Sequence, residues 1–142
     1  MAIEHCIEKK AQAEAAGLPE TDPMNPNIMN MSWGVPDDGD PDDPIRVACR
    51  AAFEVRIGPV AAAGNSGPAP GSIMLPACDS GVVGVGAVTF MPFDVWEYSG
   101  RGPTLEGLIK PDMVFYGVRV LTASSRGDEA YVVKSGTSFS AP

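Results

Sequence analysis

The sequence predicts an α/β fold of three layers, with a mostly parallel sheet flanked by helices. Three observations carry the prediction. Helix-period and strand-like segments alternate along the first half of the chain. The strand candidates are short continuous apolar runs, the pattern of strands buried on both faces. No tight hairpin turn joins these early strands, so crossover helices must connect them. With 142 residues, 44% hydrophobic and 20% charged, the chain is suited to one globular core.

Residues 3–16 read as a helix, with Ile3, Ile7, Ala11, Ala15 and Leu18 recurring on one face and Gly17 as its stop. His5, the single histidine, falls on the opposite face with Lys9 and Gln12. There it reads as a solvated residue, whereas a catalytic base sits in a cleft beside a carboxylate. Three prolines between residues 19 and 27 predict a loop. The run Asn27-Ile28-Met29-Asn30-Met31-Ser32 reads as a buried strand ended by Gly34 and Pro36. Five aspartates crowd residues 37–43, but their spacing does not match the helix-loop-helix calcium loop. The stretch reads as a solvated acidic loop in which Asp43 caps a helix that opens with Pro44.

That helix is predicted over residues 44–57, with Ile45, Ala48, Cys49, Ala52 and Phe53 as its buried stripe and Gly58 as its end. Val60-Ala61-Ala62-Ala63 reads as a buried strand running into Gly64-Asn65-Ser66-Gly67-Pro68. Val82-Val83-Gly84-Val85-Gly86-Ala87-Val88 is another strand, its glycines allowing close backbone approach. Residues 113–115, 118–121 and 131–133 are further short strand candidates.

A net charge of −8 and scattered basic residues speak against a nucleic-acid partner. No apolar run reaches the length that spans a bilayer, so no membrane partner is expected. The start of the chain lacks the basic and apolar segments of a signal peptide. Cys6, Cys49 and Cys78 are widely and irregularly spaced, and read as buried thiols.

Two polar residues sit in small-residue turns at the ends of apolar runs. Ser138, within Lys134-Ser135-Gly136-Thr137-Ser138-Phe139-Ser140-Ala141-Pro142, reads locally as a helix N-cap or as a nucleophile. Asn65 reads as a turn residue or as a side-chain donor. A serine nucleophile needs a base and a stabilised site for negative charge.

Taken together, five segments resemble the subtilisin-like serine peptidases, the subtilases. They are Asn30-Met31-Ser32-Trp33-Gly34, the Val60–Gly67 run, Gly84-Val85-Gly86-Ala87-Val88, Ser99-Gly100-Arg101-Gly102-Pro103 with Lys110-Pro111-Asp112, and Ser135–Pro142. They follow the family's order and spacing along essentially the whole chain. The resemblance implies a serine endopeptidase working through an acyl-enzyme, with Ser138 as nucleophile and Asn65 as oxyanion donor beside the Ser138 N–H. It implies that Ser32, Trp33 and Gly34 on one side, and Ala62, Ala63 and Gly64 on the other, flank the pocket for the residue before the scissile bond. Their strand edges would bind an extended protein or peptide substrate, and the glycines would keep the pocket walls low. Leu75-Pro76 matches a position where the family often has a cis bond. No cofactor is assigned, although the family admits calcium, and a secreted or extracytoplasmic location is implied.

The chain also departs from the family. Phe115-Tyr116-Gly117 stands where Ala-Pro-Gly is usual, and residues 19–26 look inserted. The family's triad runs Asp, His, Ser, and neither an Asp-Ser/Thr-Gly strand end nor a His-Gly-Thr-His segment occurs. Asp79-Ser80-Gly81 mimics the first, but it precedes the valine-glycine strand and breaks the family order. The expectation is therefore that residues 1–142 form a partial catalytic domain, its fold incomplete and its Asp/His half absent. Alone it would be inactive, and residues 138–142 would be too few to form the helix that follows the nucleophile. A complementary N-terminal segment would supply Asp and His. The alternatives are a non-catalytic peptide-binding module and a relative of peptide-macrocyclising transpeptidases.

Overall fold

The computed structural model describes residues 2–142. Helix α1 spans Ala2–Ala15, strand β1 Ile28–Met31, helix α2 Pro44–Glu54, β2 Gly58–Ala62, β3 Val83–Val88 and β4 Met113–Tyr116. The four strands form one parallel sheet in the order β1-β2-β3-β4. The chain closes with an antiparallel pair, β5 (Val120–Ala123) and β6 (Tyr131–Lys134), and a single 3-10 turn at Thr137–Phe139. Only this turn stands where the sequence led one to expect the start of a helix.

Side chains alternate across each strand, and the two sheet faces are treated differently. Met29, Met31 and Ala61 point to the side where Ile3, Ala48, Cys49, Ala52 and Ile57 complete the main core. Both helices therefore cover that face. On the other face Val60, Ala62 and Val85 gather with Ala141. Around them Ile28, Val83, Met113 and Phe115 stand 40% to 72% exposed.

Both helices are where the sequence puts them; the α2 stripe is buried as expected at Ala48, Cys49 and Ala52, with Ile45 packed beside them, whereas that of α1 is rotated. In α1 the buried residues are Ile3, Lys10 and Ala13, with Cys6 and Ile7 packed beside them, whereas Ala11 and Ala15 are exposed. Alanine carries too little apolar surface to fix a face. Lys10 can turn inward because its ammonium donates to Asn27 Oδ1 at 2.8 Å. In α2, Phe53 is 60% exposed and Arg46 takes the inner position. The N-cap is as expected, with Asp43 Oδ1 accepting from Ile45 N at 2.7 Å. The C-terminus comes earlier than expected. Arg56 adopts a left-handed conformation (φ 64°), and Ile57 N donates to Ala52 O at 3.0 Å, a closing motif usually built on glycine. Gly58 instead opens β2, its N–H donating to Asn27 O at 2.8 Å.

The acidic loop is not uniformly solvated. Asp38, Asp40 and Asp42 are exposed, but the Asp37 side chain is 5% exposed and lies 2.8 Å from the fully buried Arg46. Arg46 also pairs with Asp79 at 3.5 Å and Glu106 at 3.2 Å, and Arg50 reaches Asp79 at 2.8 Å. Burial pushes the Asp37 carboxyl upward, but the hydrogen bond and charge of Arg46 outweigh it and hold the carboxyl below its ordinary range. This cluster ties the loop to α2 and to the segments at residues 79 and 106. All three cysteines are free, and Cys49 and Cys78 are buried.

Candidate active site

The motif residues converge at the carboxyl ends of β1 and β2, where open parallel sheets commonly bind ligands. Trp33, Gly34, Ala62, Gly64, Asn65 and Ser138 line one cavity of about 240 Å³, together with Ser66, Met74 and Thr137. Ser32 borders it through its carbonyl, which accepts the Ser138 hydroxyl at 2.9 Å. Ala63 lies behind the wall. It is fully buried, its N–H donates to Val85 O and its carbonyl accepts from Met74 N, each at 2.9 Å. A larger hollow of about 580 Å³ lies between residues 89–97 and Val118–Arg119. None of the motif residues lines it.

Thr137 sets the orientation of Asn65, a role with no local signal in the residues around it. Its backbone N–H and its hydroxyl both donate to Asn65 Oδ1, at 2.9 and 3.0 Å. A backbone N–H can only donate, so the Asn65 atom facing it is the oxygen. The Nδ2 group is thereby turned away and meets no acceptor among the described residues. The same Thr137 hydroxyl accepts the Gly64 N–H at 3.1 Å. Thr137 is fully buried, so its polar atoms are satisfied within the protein. The Ser138 N–H likewise has no acceptor among the described residues. Two free donors, one side-chain and one backbone, therefore belong to Asn65 and Ser138, which line the same cavity.

The neighbouring loops hold this edge in place. Gly100 N donates to Gly64 O at 2.9 Å and Gly67 N to Tyr98 O at 3.0 Å. Buried Ser99 accepts the Ala87 N–H at 3.0 Å. Gly136 N donates to Gly117 O at 2.8 Å, and a Cβ on Gly117 would stand 2.7 Å from Gly136 O. The serine turn therefore docks against a residue that must lack a side chain, even though Phe115 and Tyr116 replace the usual pair before it. The Leu75–Pro76 bond is cis.

Met74 is the other residue missed at the sequence level. Its side chain lies across the two glycines that were expected to leave the pocket open. A Cβ on Gly34 would fall 2.9 Å from Met74 Cβ, and one on Gly64 would fall 2.8 Å from Met74 Sδ.

His5 does not line this cavity. Its side chain is 65% exposed on α1 and 3.8 Å from Glu8. Among the described residues, no group of three or more His, Cys, Asp or Glu side chains could hold a metal ion, and no helix is long and apolar enough to cross a membrane.

Comparison with known proteins points to one family. The model of the subtilase family matches residues 3–142. The serine protease AprX of Bacillus subtilis (strain 168) is 34% identical over 145 residues, covering 87% of this chain and 33% of AprX. The membrane-bound transcription factor site-1 protease of Mus musculus is 34% identical over 122 residues, covering 82% of this chain and 11% of that protein. The chain thus spans a third or less of these relatives. Among solved structures, sphericase superposes with a TM-score of 0.73 at 26% identity, over 98% of this chain and 44% of sphericase. The prenylagaramide maturation protease PagA does so with a TM-score of 0.66 at 26% identity, over 93% of this chain and 42% of PagA. The parallel sheet, the ordered motifs and the match over nearly the full length place this chain in the subtilase family.

Proposed function

We propose that the chain carries the nucleophile and the oxyanion donors of a serine endopeptidase. Ser138 attacks the scissile carbonyl, and Asn65 Nδ2 with the Ser138 N–H stabilises the oxyanion. One observation carries the reading: Thr137 occupies Asn65 Oδ1 with two hydrogen bonds and leaves both donors free at the cavity that Asn65 and Ser138 line. Donors fixed in advance where charge develops are usually the largest single catalytic contribution.

The base comes from elsewhere. His5 is exposed and does not line the cavity, and the Ser138 hydroxyl rests on the Ser32 carbonyl, which cannot take its proton. Polypeptide carrying the family's Asp and His segments completes the site. Substrate is an extended protein or peptide chain held by the edges at Ser32–Gly34 and Ala62–Gly64. An extracytoplasmic location goes with the family resemblance.

The test is complementation. The 142-residue chain is assayed on casein and on a peptide anilide, alone and mixed with a subtilase N-terminal segment bearing Asp and His. Turnover is expected only in the mixture. It should vanish with Ser138→Ala and fall about 10²–10³-fold with Asn65→Ala, the magnitude known for subtilisin. Turnover by the chain alone, or by a mixture containing Ser138→Ala, would refute the assignment. The parked Ser138 hydroxyl favours a second reading, a module that holds peptide without cutting it. A mixture that binds peptide and never turns over would select that reading.

A further inference from the structure

We propose that the hydrogen bond from Ser138 to the Ser32 carbonyl is a latch that couples peptide binding to the arrival of the completing polypeptide. The inference rests on the endopeptidase reading and names the regulation of that same site. The Ser138 hydroxyl donates to Ser32 O at 2.9 Å, between residues 106 positions apart. This one bond silences two groups. The hydroxyl points its proton at a carbonyl too weakly basic to remove it, and the carbonyl is taken on its cavity side.

Ser32 O has little freedom to move aside. Met31, just before it, is paired with Ala61 in the sheet. Val35, just beyond the segment, exchanges hydrogen bonds with Leu75 at 2.9 and 3.0 Å. The Ser32 hydroxyl itself accepts from Asn30 Nδ2 at 2.9 Å. The movable part is the half-buried Ser138, whose hydroxyl changes direction by rotation about one side-chain bond.

A serine oxygen poised for attack lies about 3–3.5 Å from the scissile carbonyl. The N–H of that substrate residue is separated from its carbonyl only by Cα, so it comes within reach of Ser32 O. A carbonyl has two lone pairs, but hydroxyl and substrate approach this one from the same cavity. They therefore compete for it. An imidazole brought by the completing polypeptide draws the hydroxyl to itself and frees Ser32 O for the peptide. The coupling is reciprocal, so bound peptide also tightens the hold on that polypeptide.

Ser32-Trp33 is the only Ser-Trp pair in the sequence. A chain isotope-labelled at serine carbonyl carbons and tryptophan nitrogens therefore gives a single amide resonance that reports on the Ser32 carbonyl. The parent, Ser138→Ala and Ser138→Cys are compared alone and in titrations with acetyl-tetra-alanine amide, and with its analogue methylated on the last alanine nitrogen. The Ser32 carbonyl should shift upfield in Ser138→Ala, where its donor is gone, and return downfield as the peptide binds. Both variants should bind the peptide about two- to tenfold more tightly than the parent, the worth of one hydrogen bond. The methylated peptide should show no such gain. A thiol is a weak donor but bulkier than a hydroxyl, so a gain in Ser138→Cys is not relief of crowding. Adding a subtilase N-terminal segment bearing Asp and His to the parent should give the same upfield shift and the same gain. A Ser32 resonance unchanged in Ser138→Ala, peptide binding absent or equal in all three proteins, or a gain that survives methylation overturns the latch and leaves the endopeptidase reading standing. A segment that restores turnover without moving the Ser32 resonance also overturns the latch alone; one that does neither overturns both.

Discussion

Replacing Thr137 with valine preserves the shape of a fully buried side chain and removes its hydroxyl. That hydroxyl accepts the Gly64 N–H and donates to Asn65 Oδ1. In Thr137→Val the buried Gly64 N–H loses its acceptor, a desolvation cost of about 1–3 kcal/mol. The lost bond to Asn65 adds about 0.5–1.5 kcal/mol. The combined destabilisation is about 1.5–4.5 kcal/mol. At a urea m-value of about 2 kcal/mol/M, the unfolding midpoint falls by about 0.8–2.2 M. Thr137→Ser keeps both hydrogen bonds and loses one buried methyl, worth about 1 kcal/mol. Urea unfolding of the three proteins, paired with hydrogen exchange at the Gly64 amide, tests the reasoning. Faster Gly64 exchange is expected in the valine variant and not in the serine variant. If valine is no more destabilising than serine, and Gly64 stays protected, the hydroxyl bridge does not hold the site together.

The buried cluster around Arg46 makes a pH-dependent prediction. The Asp37 carboxyl titrates below its ordinary value of 3.8 in the folded protein, so its stabilisation is complete above 3.8 and is lost as pH falls through the lower folded value. Asp37→Asn should therefore cost about 1.5–3 kcal/mol near neutrality, with the gap to the parent closing below pH about 3.8; a gap that persists undiminished in acid contradicts the ion-pair account. Cys49 and Cys78 are fully buried, and burial raises their thiols to about 11 and about 12. Thiol titration at pH about 8 should modify Cys6 first, with the other two reacting only in denaturant; fast modification of all three in the native protein would refute that burial. The apolar face at Ile28, Val83, Met113 and Phe115 should make the isolated chain associate, and Val83→Lys with Phe115→Lys should reduce light scattering; a monodisperse parent would count against it.

The strands were legible because both their faces carry apolar residues, and the Asp43–Pro44 helix start because capping is local chemistry. Asn65 and Ser138 could be named because each lies in a short ordered motif. What the sequence hid was every role settled by a distant partner. Thr137 acts on a residue 72 positions away, and nothing near it says so. Lys10 and Arg46 are buried although charge normally stays in water. Their burial depends on Asn27, Asp37, Asp79 and Glu106, which only the fold brings close. Met74 has no local signature at all. The one available clue was the pair of glycines on opposite walls, which could equally have been left open for substrate.

The span of 72 residues between Thr137 and Asn65 also bears on the order of events during folding. The end of β2 can form with its sheet neighbours before the last turn has docked. Until then Asn65 has no partner for its oxygen, and its amide is free to rotate. Docking of the final segment fixes the amide and delivers Ser138 in the same step. A partly folded chain therefore presents neither an aimed Asn65 amide nor a placed Ser138 hydroxyl, and the two fall into place together.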